Sequence, residues 1–177
     1  LLALVAVVGL YVMGVYNGFV TQGEECNKAW ANVESVLQRR FDLIPNLVNT
    51  VKGYAEHEKG ILEEVTRLRS QWGEAQTTEQ KAGVASMLEG ALGRLMVVVE
   101  NYPDLKANEN FIRLQDELAG TENRINVERQ RYNSAVQGYN TTIRRMPTAL
   151  VARISGFQPR TPFEAAQGAE TAPTVQF

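Results

Sequence analysis

The chain has 177 residues, with 18 lysines and arginines, 20 acidic residues, one histidine and one cysteine. Its formal net charge of −2 argues against DNA or RNA binding, which needs a basic excess concentrated on one face. The single cysteine, Cys26, and the single histidine, His57, argue against a disulfide framework, multi-cysteine zinc sites and Cys–His nucleophile pairs. The remaining classes of function are binding, anchoring and scaffolding.

The N-terminal segment, residues 1–23, carries no charge and is mostly apolar. As a helix, residues 1–20 would span ~30 Å, the thickness of the hydrocarbon core of a bilayer. The alternatives are a cleaved signal peptide and a buried core helix, but no small-residue cleavage site follows, and the aromatic residues near the end are typical of a membrane interface. We predict a transmembrane helix over residues 1–22. Its predicted lipid-facing residues are Leu1, Leu4, Val8, Tyr11, Val15 and Phe19.

The region from residue 24 to about residue 146 has the hydrophobic period of α-helices. Turn and capping signals divide it into helices over about 24–41, 42–72, 78–101 and 108–145, with Pro45 in the first turn of the second. Short loops favour antiparallel neighbours. The predicted fold class is therefore all-α: an N-terminal transmembrane helix, then an antiparallel up-and-down four-helix bundle of long helices over residues 23–155. One long helix kinked at Pro45 is the alternative architecture.

Residues at a seven-residue spacing in the second and fourth helices predict a coiled-coil-like seam. Glu58 stands in this seam and needs a polar partner, such as Tyr132 or Arg129, because an unpaired buried carboxylate is costly. Divalent metal binding by Glu58, Glu122 and Glu128 is the weaker alternative. The seam positions are Ile44, Val51, Glu58, Val65 and Trp72, and Phe111, Leu118, Ile125, Tyr132 and Tyr139.

Glycine and proline interrupt a polar sequence after Ser155, which predicts an extended, partly disordered and flexible tail over residues 156–177. Phe157 and Phe163 are expected to pin the first part of this tail onto the helices.

Sequence signals of catalysis are lacking. There is no glycine-rich phosphate loop and no G-x-S-x-G motif, and His57 lacks the second histidine of a zinc-protease helix. We predict that the protein is not an enzyme, with no catalytic residue, no cofactor and no metal.

Two local patterns are candidates for interaction. Residues 39–48 combine two arginines, a carboxylate and a proline with large apolar side chains, which indicates either a structural corner between helices or a docking surface. The pairs Tyr132–Asn133 and Tyr139–Asn140 are seven residues apart and share one helix face. They indicate either a polar layer that fixes helix register or a contact face for another subunit.

Three segments together resemble the LemA family in residues and in order: RxDLIPNLV at 40–48, VKGYAxHE at 51–58 and YPDLKA at 102–107. The match continues at 114–118, 122–123, 131–133, 139–140 and 156–157, and covers the chain from the membrane helix to about Glu164. The resemblance implies a bacterial single-pass membrane protein with a four-helix bundle, no accepted enzymatic activity, and a link to membrane-bound zinc proteases of the HtpX kind.

The leading hypothesis is a membrane-anchored adaptor or scaffold in the bacterial inner membrane. Its expected partners are the lipid bilayer, further copies of itself and a membrane protein, in particular a membrane-bound zinc metalloprotease. The alternative is an envelope sensor or membrane-surface structural protein that responds to a ligand or lipid. Glu24 and Glu25 precede Lys28 after the span, so this flank is not the basic one that would indicate a cytoplasmic bundle, and we expect the bundle on the periplasmic side.

The candidate interaction residues come from the segments described above. They are Arg39, Arg40, Phe41, Asp42, Pro45, Asn46, Tyr54, His57, Glu58, Tyr102, Pro103, Asp104, Asn123, Tyr132, Asn133, Tyr139 and Asn140.

Overall fold

The apolar N-terminal run and the first amphipathic segment form a single helix. In the computed structural model, which describes residues 1–55 and 57–163, α1 covers Leu2–Lys52. Pro45 lies inside this helix, although an interior proline removes one backbone hydrogen bond and costs about 3 kcal/mol. The prediction that a new helix begins at Asp42 is therefore wrong. The alternative prediction, one helix that continues through Pro45, is correct as far as Lys52.

The apolar face of α1 explains why the helix continues past the proline. Phe41, Ile44, Leu47 and Val51 are all buried and follow the three- and four-residue spacing of one helix face. Burial of each such side chain contributes about 1.5–3 kcal/mol, and together these contributions offset the cost of the proline. The helix ends before Gly53, where a turn interrupts the predicted seven-residue seam.

Further helices follow in the described part of the chain: α2 over Lys59–Glu74, α3 over Thr78–Val99, α4 over Pro103–Lys106, α5 over Glu109–Arg144 and α6 over Thr148–Ile154. No strand occurs in residues 1–55 and 57–163, so these residues confirm the all-α class. The predicted capping box forms at the start of α3, where Thr77 and Gln80 bond each other's backbone N–H groups. The short helices α4 and α6 were not expected from the sequence.

The described chain forms two compact units. Unit 1 consists of residues 1–34 and 126–163, and unit 2 consists of residues 35–125. Both α1 and α5 contribute one stretch to each unit.

Unit 2 has a buried core to which stretches of α1, α2, α3 and α5 contribute. The Phe41 ring stacks on Trp72, with centroids 4.6 Å apart and an interplanar angle of 14°. The indole N–H of Trp72 donates to Gln38 Oε1 at 2.8 Å, so the polar end of the buried ring is satisfied. The seam residues of this unit are buried apart from Glu58, which is half-buried.

Unit 1 contains the N-terminal stretch of α1, in which residues 1–14 are all exposed. By length and composition, α1 and α3 could each cross a membrane, but 39% of the apolar window of α3 is buried, against 6% for α1. The predicted lipid-facing residues Leu1, Leu4, Val8 and Tyr11 are exposed, and Val15 is half-buried. The prediction that Phe19 faces lipid is wrong, because the Phe157 ring packs on it and Phe19 is fully buried.

Candidate functional site

The main candidate site lies in unit 1, where residues 157–163, here called the strap, pack along α1 and α5. The chain enters the strap through Gly156, whose φ of +76° lies in the left-handed region that glycine adopts without strain. The Phe157 N–H donates back to the Ala152 carbonyl at 3.0 Å. This turn ends α6 and leads the chain back along the two long helices. The rest of the predicted tail, 164–177, lies outside the described residues.

Two asparagines of α5 bind the strap backbone in the same way. The amide of Asn133 donates to the Phe163 carbonyl at 2.9 Å and accepts from the Phe163 N–H at 2.8 Å. Asn140 does the same with Arg160, at 2.8 and 2.9 Å. An amide side chain carries both the donor and the acceptor that one backbone residue requires. Each asparagine therefore satisfies both backbone groups of one strap residue.

The seven-residue spacing of the asparagines has a geometric explanation in this arrangement. Seven residues of helix rise about 10.5 Å, and three residues of extended chain rise about 10 Å. Asn133 and Asn140 are seven apart on α5, and their partners Phe163 and Arg160 are three apart on the strap. The repeat on the helix therefore matches the repeat of the strap.

The two tyrosines beside these asparagines are buried beneath the strap. The Tyr132 hydroxyl donates to the Thr161 carbonyl at 3.0 Å, and its ring meets Trp30 edge to face at 5.3 Å. The Arg160 guanidinium lies 5.6 Å from the centroid of the Tyr139 ring, within the range of a cation–π contact. Asn133, Asn140 and the Tyr132 hydroxyl bind the strap, and Tyr139 contacts it through its ring. A contact of these pairs with another subunit stays a prediction.

The aromatic residues of the strap dock as the sequence predicts. The Phe163 ring is buried near Trp30, and the Arg129 guanidinium lies 5.7 Å from its centroid. The Phe157 ring contacts Tyr16 and Phe19 of α1, with centroids 5.4 and 5.1 Å apart. Arg160 adds a polar link to α1, since its guanidinium donates to Asn27 Oδ1 at 2.6 Å. Sequence reasoning missed Arg160, although it is the only charged residue of the strap.

The buried thiol of Cys26 lies in the same region. Burial raises the pKa of Cys26 above its ordinary value, while the positive charge of Arg160 opposes this shift and Glu25 adds to it. The neutral thiol is therefore favoured, and the reactive thiolate is scarce at neutral pH.

We expect maleimide to modify Cys26 slowly in the native protein, because the thiol is inaccessible and mostly protonated. Because the pKa of Cys26 is raised, the rate of modification should continue to increase at pH values at which an ordinary cysteine is already fully ionised. Asn140→Ala should increase the rate at neutral pH, because it removes both backbone bonds that hold Arg160 and so exposes the thiol, and we expect this gain in access to outweigh the higher pKa that loss of the Arg160 charge causes. Mass spectrometry of timed samples measures the rate, with Asn123→Ala on the exposed side of α5 as the matched control. Equal rates in the wild type and Asn140→Ala would contradict the expectation.

The predicted corner at residues 39–48 lies inside α1 of unit 2. Arg40 is 4% exposed; its guanidinium pairs with the Glu122 carboxylate, and its Nε–H donates to Thr121 Oγ1 at 3.3 Å. Phe41 belongs to the core. Neither residue is accessible for docking, so they stabilise the fold instead. The other predicted residues of this segment, Arg39, Asp42, Pro45 and Asn46, are exposed or half-buried.

Glu58 finds a partner in neither of the residues proposed for it. The Tyr102 hydroxyl donates to Glu58 Oε1 at 3.2 Å, whereas Tyr132 bonds the strap and Arg129 bonds Asn126. Burial, then the hydrogen bond to Glu58 and its negative charge, raise the pKa of Tyr102.

The remaining predicted interaction residues lie on the surface of unit 2. The Tyr54 hydroxyl accepts a hydrogen bond from Asn108 at 3.0 Å, and the others, His57, Pro103, Asp104 and Asn123, are exposed. Within residues 1–55 and 57–163, no three His, Cys, Asp or Glu side chains come together as metal ligands. Glu122 pairs with Arg40, and Glu128 pairs with Arg131.

Comparison with known proteins places the strap and its helices in a family. The LemA family model matches residues 29–177. The chain belongs to the LemA family. The match includes both Tyr–Asn pairs and the strap. The part of the candidate site that lies outside the matched region is the stretch of α1 before residue 29.

Curated relatives extend this similarity. Magnetosome protein MamQ 2 of Paramagnetospirillum magneticum is 30% identical over 89% of this LemA-family chain and 67% of its own length. Magnetosome protein MamQ of Magnetospirillum gryphiswaldense is 28% identical with the same coverage. Protein LemA of Metamycoplasma hominis is 23% identical over 80% of the chain and 65% of its own length. The apolar N-terminal helix of this LemA-family protein fits a membrane location.

Proposed function

We propose that this LemA-family protein is a non-enzymatic, membrane-anchored helical adaptor that self-associates and holds a membrane protein partner. The observation that carries the proposal is the uncovered apolar stretch of α1. Residues 1–14 are exposed, and the helix is first buried by the protein at Phe19. A bilayer would cover such a stretch, because water solvates it poorly.

The two compact units support an adaptor role. In unit 1 the strap is bound to α5 by side-chain amides on its backbone and to α1 by the Phe157 ring and the Arg160–Asn27 bond. In unit 2 a partly buried ion pair joins α1 to α5, and an aromatic stack joins α1 to α2. As part of this proposal, the four helical stretches of unit 2 form an antiparallel bundle, although their bounds differ from those expected from the sequence. Polar and aromatic surface groups such as Tyr54, His57 and Asp104 are the residues proposed for contact with a partner.

The anchor is tested by placing charges in the uncovered stretch. Leu4→Arg with Val8→Arg should release the full-length protein from carbonate-washed membranes, since each arginine at the centre of a span costs about 2.5–3.5 kcal/mol. The matched control is Ala31→Arg with Asn32→Arg, two exposed positions of the same helix. Retention of the Leu4/Val8 variant in the membrane fraction would overturn the proposal.

The adaptor role is tested by crosslinking native membranes, followed by gentle detergent extraction and mass spectrometry. Crosslinks from exposed Lys52 or Lys59 to one recurring membrane protein, together with a discrete homo-oligomer, are the expected result. A membrane-bound zinc metalloprotease is the partner proposed. A monomer that carries no crosslinked protein in several detergents would overturn the adaptor role.

The side of the membrane is part of the same proposal. Lys28 is the one basic residue among residues 23–37, which follow the span, so this flank lacks the lysine and arginine excess of a cytoplasmic segment and we place units 1 and 2 outside the cytoplasm. Externally added protease should cleave the protein in cells whose outer membrane has been opened but whose inner membrane is intact. Cleavage only after lysis of the inner membrane would reverse the orientation.

The strap favours a second candidate function, a sensor whose strap detaches when a ligand binds. The supporting observation is that side-chain amides hold the backbone of residues 160 and 163, and a competing polar ligand can replace such bonds. Hydrogen exchange along α5 should then increase when a ligand is added. Unchanged exchange across envelope lipids and cell-wall fragments would remove this candidate.

A further inference from the structure

The short helix α6 has an apolar face that no described part of the chain covers. Met146 lies in the turn before the helix, and Leu150 and Ile154, four residues apart, share one side of the helix. The exposed fractions of the three side chains are 65%, 54% and 86%. The other side of α6 packs inward through Val151 and Ala152, which are buried. A row of exposed large apolar side chains of this kind marks a contact with a partner or a membrane.

The position of α6 along α1 points to the bilayer as that contact. In unit 1, α1 and α5 run antiparallel, since Trp30 meets Tyr132 while Asn27 and Asn140 both bind Arg160. From Tyr132 to Arg144, α5 rises about 18 Å, which is the distance along α1 from Trp30 back to residue 18. The end of α5 is therefore level with the end of the uncovered stretch of α1.

Phe157, which follows α6 in the chain, independently indicates the same position along α1. The Phe157 ring contacts Tyr16 and Phe19 of α1. Because α6 lies between Arg144 and Phe157, both of its ends are close to residues 16–19 of α1. A bilayer that surrounds the uncovered stretch of α1 would have its surface at this level.

The charges around α6 fit an anionic surface. Residues 129–163 contain six arginines and no acidic residue. Arg144, Arg145 and Arg153, which flank the apolar face, are all exposed. Cations close to an anionic lipid surface are attracted to it. An apolar row bordered by arginines is the pattern of a helix that lies in the membrane interface.

We propose that α6 is a second membrane contact, which lies in the headgroup region with Leu150 and Ile154 inserted and its arginines on anionic headgroups. Unit 1 would then hold the membrane through two elements, the span of α1 and the interfacial helix α6. Through Phe157, this contact also determines where the strap begins. The inference rests on the membrane anchor of the proposed function but does not depend on a partner protein.

The test measures the depth of single fluorescent probes in the full-length protein. A maleimide fluorophore is attached at Leu150→Cys or Ile154→Cys in a Cys26→Ala background, and the protein is reconstituted in vesicles of phosphatidylcholine with phosphatidylglycerol. Val127→Cys is the matched control, because Val127 is an exposed apolar residue of unit 1 about 25 Å along α5 from Arg144. Val8→Cys reports the anchor itself. Nitroxide lipids quench inserted probes, and iodide quenches probes in water.

We expect nitroxide lipids to quench the probes at 150 and 154, and iodide to quench them at least about threefold less than the probe at 127, since interfacial helices insert their apolar side about 5–10 Å deep. Combined Arg144→Gln, Arg145→Gln and Arg153→Gln should reduce lipid quenching at 154 to its level in vesicles of phosphatidylcholine alone. Lipid quenching that is insensitive both to this variant and to phosphatidylglycerol would overturn the role of the arginines.

Two other outcomes would overturn the inference and identify the reason. If the probe at 8 is quenched by lipid while those at 150 and 154 behave like the probe at 127, the anchor stands and α6 is not in the membrane. If the probes at 150 and 154 are shielded from iodide but not quenched by lipid, a second protein copy covers the face. If iodide quenches the probe at 8, the anchor and the inference fail together.

Discussion

Glu122→Ala is expected to lower the free energy of unfolding by about 2–4 kcal/mol, because it removes the carboxylate that pairs with a buried arginine. The Arg40 side chain is only 5% exposed, so its charge is poorly solvated once the carboxylate has gone. Breaking a fully buried pair costs about 3–5 kcal/mol. The lower estimate reflects Glu122, whose side chain is 33% exposed. Urea unfolding followed by circular dichroism measures the change.

Two variants separate loss of the charge from other effects at this position. Glu117→Ala removes an exposed carboxylate from the same helix and should change stability by no more than about 0.5 kcal/mol. Glu122→Gln keeps an acceptor for the guanidinium without the charge and should fall between Glu122→Ala and the wild type. If Glu122→Ala and Glu117→Ala had equal stabilities, the ion pair would contribute nothing to the fold.

Asn133→Ala combined with Asn140→Ala is expected to release the strap from α5. The double variant removes four hydrogen bonds between side-chain amides and strap backbone. At about 0.5–1.5 kcal/mol each, their loss lowers the free energy of local opening by about 2–6 kcal/mol. The amides of Arg160 and Phe163, which donate to the two asparagines, should then exchange hydrogen at least about 30-fold faster. Hydrogen exchange with mass spectrometry on peptides covering residues 157–163 reports this change.

Asn123→Ala is the matched control, because this exposed asparagine lies on the same helix but in unit 2. Asn133→Asp and Asn140→Asp keep the acceptor but lose the donor, so exchange in each should be intermediate. Unchanged exchange at residues 160 and 163 in the double alanine variant would show that the ring contacts alone hold the strap.

Local sequence patterns predicted several elements correctly, because the relevant interactions are between near neighbours. The capping box at Thr77 and the burial of every seam position of α5 from Phe111 to Tyr139 are examples. The docking of Phe157 and Phe163 was also expected, since large aromatic side chains in a polar segment gain free energy by burial.

Pro45 and Gly53 show where local reasoning failed. A proline after a carboxylate is a strong signal for a helix start, yet α1 runs through Pro45 because burial of Phe41, Ile44 and Leu47 outweighs one missing bond. The break occurs instead at Gly53, inside the predicted seam. Local propensity gave the wrong boundary because packing against distant helices contributes the larger free energy.

The candidate site also combines features that local sequence predicts with features that depend on distant contacts. The sequence by itself determined that the chain is helical, that residues 1–23 carry no charge, and that Tyr132, Asn133, Tyr139 and Asn140 share one face, because helical periodicity and hydropathy are properties of short stretches. Only the tertiary structure decided what that face binds. The partners, Arg160, Thr161 and Phe163, come from an extended segment 20 to 30 residues farther along the chain. An extended segment has no periodic signal, and its register on a helix depends on the matched rise of the two elements.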